Sequence, residues 1–244
     1  MKKGMFFFLA IGLLFFGSGC ASSSKAALVS YTDPMALVSV VSNWDINWKG
    51  EEPENINLIG PLINRALKSD PGLAYVSNAE ELVNVAETTF SNIISGSNRL
   101  KLAEKDTVLS SQAYKNAAIN KRHVNNKLIT PDNYRLIDYR DKAFFSALAR
   151  ETGLKRSMFV EFNFTKAMTS GFAKVGDCEA DVEMLVIVLD NQGKTVYRNT
   201  FNEWSFSRIR VTSGAYLEAE LMELFKLVLD DISFDFLAHI GITI

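Results

Sequence analysis

Apolar side chains recur at every second position through consecutive stretches late in the chain, and that period admits little but β-sheet. Met158, Val160, Phe162 and Phe164 alternate with Glu161, Asn163 and Thr165, and Cys178, Ala180, Val182, Met184, Val186 and Val188 share one face of a longer stretch. Successive side chains on a strand point to opposite faces, so each set defines one buried face. Asp190-Asn191-Gln192-Gly193 supplies a glycine-bearing hairpin loop, and Lys194 to Phe206 returns as the next strand. Three strands joined by short turns make an antiparallel meander. After them the period changes to that of a helix, about Ser213 to Ala238. Its apolar face carries Leu217, Leu221, Leu224, Phe225, Val228, Leu229, Ile232 and Phe236. A stripe that wide must lie on the sheet.

The earlier part of the chain supplies the remaining elements. Leu37-Val38-Ser39-Val40-Val41 reads as a buried central strand. Asn43 to Asn57 reads as a loop. Gly60-Pro61 opens a helix that Asp70-Pro71-Gly72 stops, and Leu73 to Ser77 is a second short strand. Asn78 with Glu81 three residues on forms a capping-box pattern for a helix ending at Gly96. Residues 97–132 are polar and basic, with a helix expected over Ser110 to Asn120, and read as a solvated insertion closed by Pro131. Tyr134 to Ile137 reads as a short strand or an extended segment. Asp138 then caps a helix through Glu151, stopped by Gly153. The fold class expected is α/β (α+β): one mixed sheet with a C-terminal antiparallel three-strand meander and helices packed on it.

The first twenty residues place the chain rather than fold it. Lys2 and Lys3 precede an apolar run, Met5 to Phe16, and Gly17-Ser18-Gly19 lead to Cys20. A run of about twelve residues is short of the roughly twenty needed to span a bilayer, and it has the length of a signal-peptide core. The segment resembles a bacterial lipoprotein signal, with Ser18 and Gly19 matching the positions before the lipidated cysteine. Gly17 departs from the usual Leu, as in the relaxed lipoboxes familiar in spirochaetes. The resemblance implies cleavage after residue 19 and acylation of Cys20. Each buried CH₂ of an acyl chain contributes about 0.8 kcal/mol, so several chains anchor stably where one does not. Ala21 stands where such proteins carry Asp for inner-membrane retention, which implies the outer membrane and its periplasmic face. The expected layout is a signal peptide over 1–19, a lipidated tether and first extended segment over 20–35, and a single domain over 36–244.

Composition narrows the function classes. A formal net charge of −2 argues against nucleic-acid binding. The chain holds two cysteines, and lipidation of Cys20 leaves Cys178 without an intrachain partner. Two histidines, His123 and His239, in unrelated contexts exclude a multi-histidine metal site. No nucleophile-elbow, zincin or phosphate-loop motif occurs. No cofactor and no catalytic residue is therefore expected.

Four stretches carry a family resemblance. They are Leu37 to Asn43, a valine-rich strand ending in Ser/Asn; LAYVSNAEE at Leu73 to Glu81; LARETGLKRSMFVE at Leu148 to Glu161; and DNQGKTV at Asp190 to Val196. Together they are similar to the periplasmic α/β domain of three groups: the amino-terminal domain of TolB, the curli secretion lipoprotein CsgG, and the lipoprotein activators of penicillin-binding proteins. The likeness spans most of residues 36–238 apart from the basic insertion. It implies a non-catalytic binding or assembly module with an envelope protein partner. The alternative it implies is a subunit of an outer-membrane secretion or transport complex of CsgG type, although the long pore-lining hairpins of that group are not evident.

Candidate sites are few. Trp44 and Trp48 sit together in the expected loop, where exposed indoles would anchor a partner or stack on a glycan, and buried ones would cap the core edge. Glu179, Asp181 and Glu183 project to one strand face about 7 Å apart. They would suit a cation or, as a solvated face, pair with Lys166 or Arg198. That face turns apolar at Leu185, Ile187 and Leu189, so a covering helix is expected over that half only. The basic segment would suit anionic lipid headgroups or cell-wall polymer, or stand as a solvated loop. His123 reads as a surface residue, and Cys178 as an inert buried thiol.

Overall fold

The computed structural model describes residues 25–26, 28, 30–49, 73–74, 77–172 and 175–242. Cys20, the leader before it and the helix expected after Gly60 lie outside the described residues. The architecture is α/β: a mixed sheet with a helical layer on each face. Its strands are β1 (Ala36–Asn43), β2 (Asp45–Trp48), β4 (Ser77–Asn78), β5 (Leu128–Ile129), β6 (Arg156–Phe172), β7 (Val175–Asp190), β8 (Thr195–Trp204) and β9 (Ile209–Val211). A separate small pair joins β3 (Leu73–Ala74) to β10 (Tyr216–Leu217). The long helices are α1 (Glu80–Gly96) and α6 (Glu218–His239) on one face. The short helices α2 (Lys105–Leu109), α3 (Gln112–Asn116) and α4 (Lys121–Asn125), with α5 (Lys142–Thr152), come between.

The expected meander is present. β6, β7 and β8 run antiparallel, with Met158 opposite Val188 and Val188 opposite Tyr197. β1 and β2 lie parallel to β6, so the sheet is mixed. Alternation sends Met158, Val160, Phe162 and Phe164 inward with Cys178 through Val188, against Phe90 of α1 and Phe225, Leu229 and Phe236 of α6. The rings interlock: Phe90 and Phe236 are 5.7 Å apart, and Phe164 and Phe225 meet edge-on at 5.4 Å. Each such fully buried side chain contributes about 1.5–3 kcal/mol. At the far end of the β6–β7 hairpin, Gly171 and Gly176 face each other so closely that a Cβ on either would collide with the opposite backbone.

The helix ends depart from the sequence reading in instructive ways. Asn78 does accept the Glu80 amide at 3.1 Å, but Ala79 is the cap residue. Glu81 reaches Lys226 of α6 at 3.8 Å, so the reciprocal half of the capping box is spent on a tertiary ion pair. Asp141 rather than Asp138 caps α5, accepting from Phe144 N at 3.2 Å, while Asp138 holds Arg140. Gly153, at φ 77°, ends α5 as expected. α6 begins at Glu218 and not near Ser213. Ser213 and Gly214 both take positive φ in a turn that delivers β10 first. Tyr134 to Ile137 forms no strand; Ile137 makes an isolated bridge to Ile119.

The segment over 97–132 is more ordered than its polarity suggested. Val108, Tyr114 and Ala117 are buried with Phe144, Phe145 and Leu148 against Ala36, Val38, Phe159, Ile187 and Leu189. Its short helices with α5 therefore form the layer on the outer sheet face. Arg135 ties that layer together, donating to the carbonyls of Tyr114 (2.6 Å) and Lys115 at the end of α3.

Candidate binding surface

The outer layer covers only one half of the sheet. Ile187 and Leu189, with Phe159 of β6 beside them, lie under Phe145 and Leu148 of α5, but the rows beyond Leu185 stay open. One row runs Asn47, Thr165, Asp181 and Trp204 across β2, β6, β7 and β8, and the next runs Asn163, Glu183 and Asn202. Asn47, Asn163, Glu183, Asn202 and Trp204 are exposed. The apolar-to-polar switch along β7 was thus a correct guide to where the covering helices stop.

Asp181 organises this open half. Its carboxylate accepts from Thr165 Oγ1 at 2.7 Å and Asn202 Nδ2 at 3.1 Å, and pairs with Lys49 Nζ at 2.9 Å. Only 4% of Asp181 is exposed, and three donors stabilise its charge where water cannot. The expected partners Lys166 and Arg198 are not the ones used. Glu179 instead meets Arg208 at 3.7 Å, and Glu183 has no ion pair among the described residues. Among the described residues, no group of three or more Asp, Glu, His or Cys is placed to hold a metal ion. What the row offers is a hydrogen-bonded polar strip ending in the Trp204 indole, which is 54% exposed.

The two tryptophans singled out by sequence part company. The loop expected around them is largely strand β2, so Trp48 points with Ile46 toward the inner side. Its ring lies edge-on to Tyr216 at 6.3 Å. Trp44, just before β2, is 37% exposed and remains available to a partner. Between Trp48 and Tyr216 lies Lys166, whose ammonium is 5.3 and 5.2 Å from the two ring centroids and donates to the Ile46 carbonyl. Lys166 is 1% exposed. It sits on the inner face because it follows Phe164 by two residues, and cation–π contact offsets part of its desolvation. Tyr216 shares a hydrogen bond of 2.7 Å with Ser77.

Cys178 lies in the same inner region, fully buried, and burial pushes its thiol up to about 11 despite the opposing charge of Lys166. It is inert at neutral pH. His123 is not the surface residue expected. It lies over β6 with Nε2 at 4.0 Å from Glu161, and its Nδ1 is buried with no hydrogen-bond partner in the structure. Ser39, Tyr139 and Phe159 complete the small cavity around it, about 20 Å³. A shallow groove of about 560 Å³ runs between α3 and α5, where Glu151 already accepts the Gln112 and Ala113 amides. The sequence reading passed over Trp204 and Phe206 as site residues and placed Lys166 on the outer face, whereas it is buried on the inner one. Counting the alternation through 204 puts Trp204 outward on the edge strand, so that signal was present.

No helix among the described residues is long and apolar enough to cross a membrane. No family model matches the chain, and no curated protein matches it. Among solved structures it is similar to the LpoB C-terminal domain from Salmonella enterica, at 9% identity and a TM-score of 0.27, over 75% of this chain and 94% of that one.

Proposed function

We propose that this chain is a lipid-anchored cell-envelope lipoprotein that acts as a non-catalytic binding or assembly module, held through Cys20 at the periplasmic face of the outer membrane. The observation that carries the reading is the amino-terminal segment: two lysines, a short apolar run and small residues leading into Cys20. It has the order of an export signal with an acylation site. Residues 1–19 are then the leader, 20–35 the lipidated tether and first segment, whose Leu28 and Met35 are buried in the core, and 36–244 the domain that meets a protein partner. The half-covered sheet supports the binding role, because its open strip is polar and flanked by exposed Trp204. Trp44 offers a second anchor, and Trp48 reinforces the inner side behind β2.

The test is photo-crosslinking in intact cells with the reactive residue placed at Asn163, on the open strip, or at Leu227, exposed on α6. The expected result is an adduct with an envelope protein from position 163 and not from 227, reduced by Trp204→Ala. An absence of protein adducts from position 163 would remove the binding strip from the account.

A further inference from the structure

β8 is an open edge. It pairs with β7 and with no other strand among the described residues. Its register with β7 is unbroken from Tyr197 to Trp204, and residues 195–204 contain neither lysine nor proline. Edges that must stay solitary are usually blunted by such residues or by other charges, and the charges of β8 are Arg198 outward and Glu203 inward. This edge carries Arg198, Thr200, Asn202 and Trp204 outward, with Phe206 just beyond it 93% exposed.

We infer that β8 pairs with β8 of a second copy of this chain, antiparallel, about a twofold axis through Phe201. A twofold axis normal to the sheet keeps both inner faces on one side, so residues that meet across it share the same face. Centring it on Phe201 sets Thr200 opposite Asn202 of the other copy and Arg198 opposite its Trp204. Thr and Asn can exchange a hydrogen bond, and a guanidinium over an indole is the favoured cation–π pair. On the inner side Asn199 meets Glu203, so the two Glu203 carboxyls do not face each other.

Charge supports the same partner. Arg198 and Glu183 both lack an ion pair among the described residues, and both lie on the outer face. In the doubled sheet, Arg198 of one copy and Glu183 of the other are separated by two strand spacings and two residues. That is about 12 Å between Cα atoms, within reach of two long side chains. The surface is thus self-complementary.

The experiment uses the full chain. Thr200→Cys and Asn202→Cys copies carrying different tags are produced in the same cells and then oxidised. Opposed residues of an antiparallel pair lie about 4.5–5.5 Å apart at Cα, within disulfide range, whereas Thr200 and its own symmetry mate do not. The expected result is a disulfide joining the two tags, missing when either variant is produced alone, and reduced at least tenfold by Arg198→Glu. Sedimentation of the detergent-extracted wild type should show two copies. A monomer at tens of micromolar, no disulfide between tags, or an adduct of the Thr200→Cys variant with a different protein only would each overturn the pairing. The proposed envelope role would stand in any of these cases.

Discussion

The carboxamide of Asn43 pairs with the peptide of Phe164 as a strand residue would. Its Nδ2 donates to the Phe164 carbonyl at 2.8 Å, its Oδ1 accepts from the Phe164 amide at 2.8 Å, and Nδ2 also donates to the Asp45 carbonyl at 2.6 Å. β1 pairs with β6 as far as Ser42–Phe162, and β2 takes over at Asn47–Thr165. Asn43 fills the gap between them with a side chain in place of a backbone. The polar strip around Asp181 depends on this continuity, because β2 brings Asn47 and Lys49 to it.

Asn43→Ala should therefore cost about 2 kcal/mol, the range for leaving buried backbone donors and acceptors unpaired. Urea unfolding of the purified protein measures it. Asn43→Asp should be worse near neutral pH, since a carboxylate would face the Phe164 and Asp45 carbonyls. Part of that loss should be recovered in acid.

His123 makes stability fall on mild acidification. Burial holds its imidazole below the ordinary value, with Glu161 and Asp138 opposing the shift. The unfolded chain therefore takes up the proton first, beginning near pH 6.5. Stability is present above that value and lost as pH drops through the lower folded one. Thermal unfolding between pH 7.5 and 5 should show the midpoint falling in wild type and flatter in His123→Gln. Equal slopes would show that His123 is not the group responsible.

Glu203 acts in the opposite direction. Burial, the hydrogen bond to Asp235, and the nearby charges of Asp235 and Asp231 push its carboxyl up to about 7. A carboxyl raised in the folded state favours folding below its unfolded value and loses that contribution as pH rises through about 7. Glu203→Gln should match wild type at pH 4 and melt higher at pH 8. An unchanged difference across that range would contradict the assignment.

Period-2 alternation made the core of this fold readable, because one face of β6 and β7 is apolar throughout. The inner helix α6 was legible for a similar reason, its apolar stripe repeating at helical spacing. What failed was local chemistry with competing partners. Asn78 and Asp138 each looked like a cap, but Glu81 was drawn to Lys226 and Asp138 to Arg140. The segment over 97–132 looked solvated because its few apolar residues, such as Val108 and Tyr114, are spread over helices of five residues each. No period can be read over so short a span. Lys166 was assigned to the wrong face by its charge, although its position two residues after Phe164 fixed it inward. In the candidate surface, the sequence showed where the outer cover ends, and missed that Trp204 stands at the strip's edge.

The most direct measurement is metabolic labelling with radioactive palmitate, followed by isolation of wild type and Cys20→Ala from fractionated cells. The account predicts labelled wild type in the outer-membrane fraction, and an unlabelled variant that accumulates with its leader uncut. An unlabelled wild type, or a variant that partitions and matures as wild type does, would contradict it.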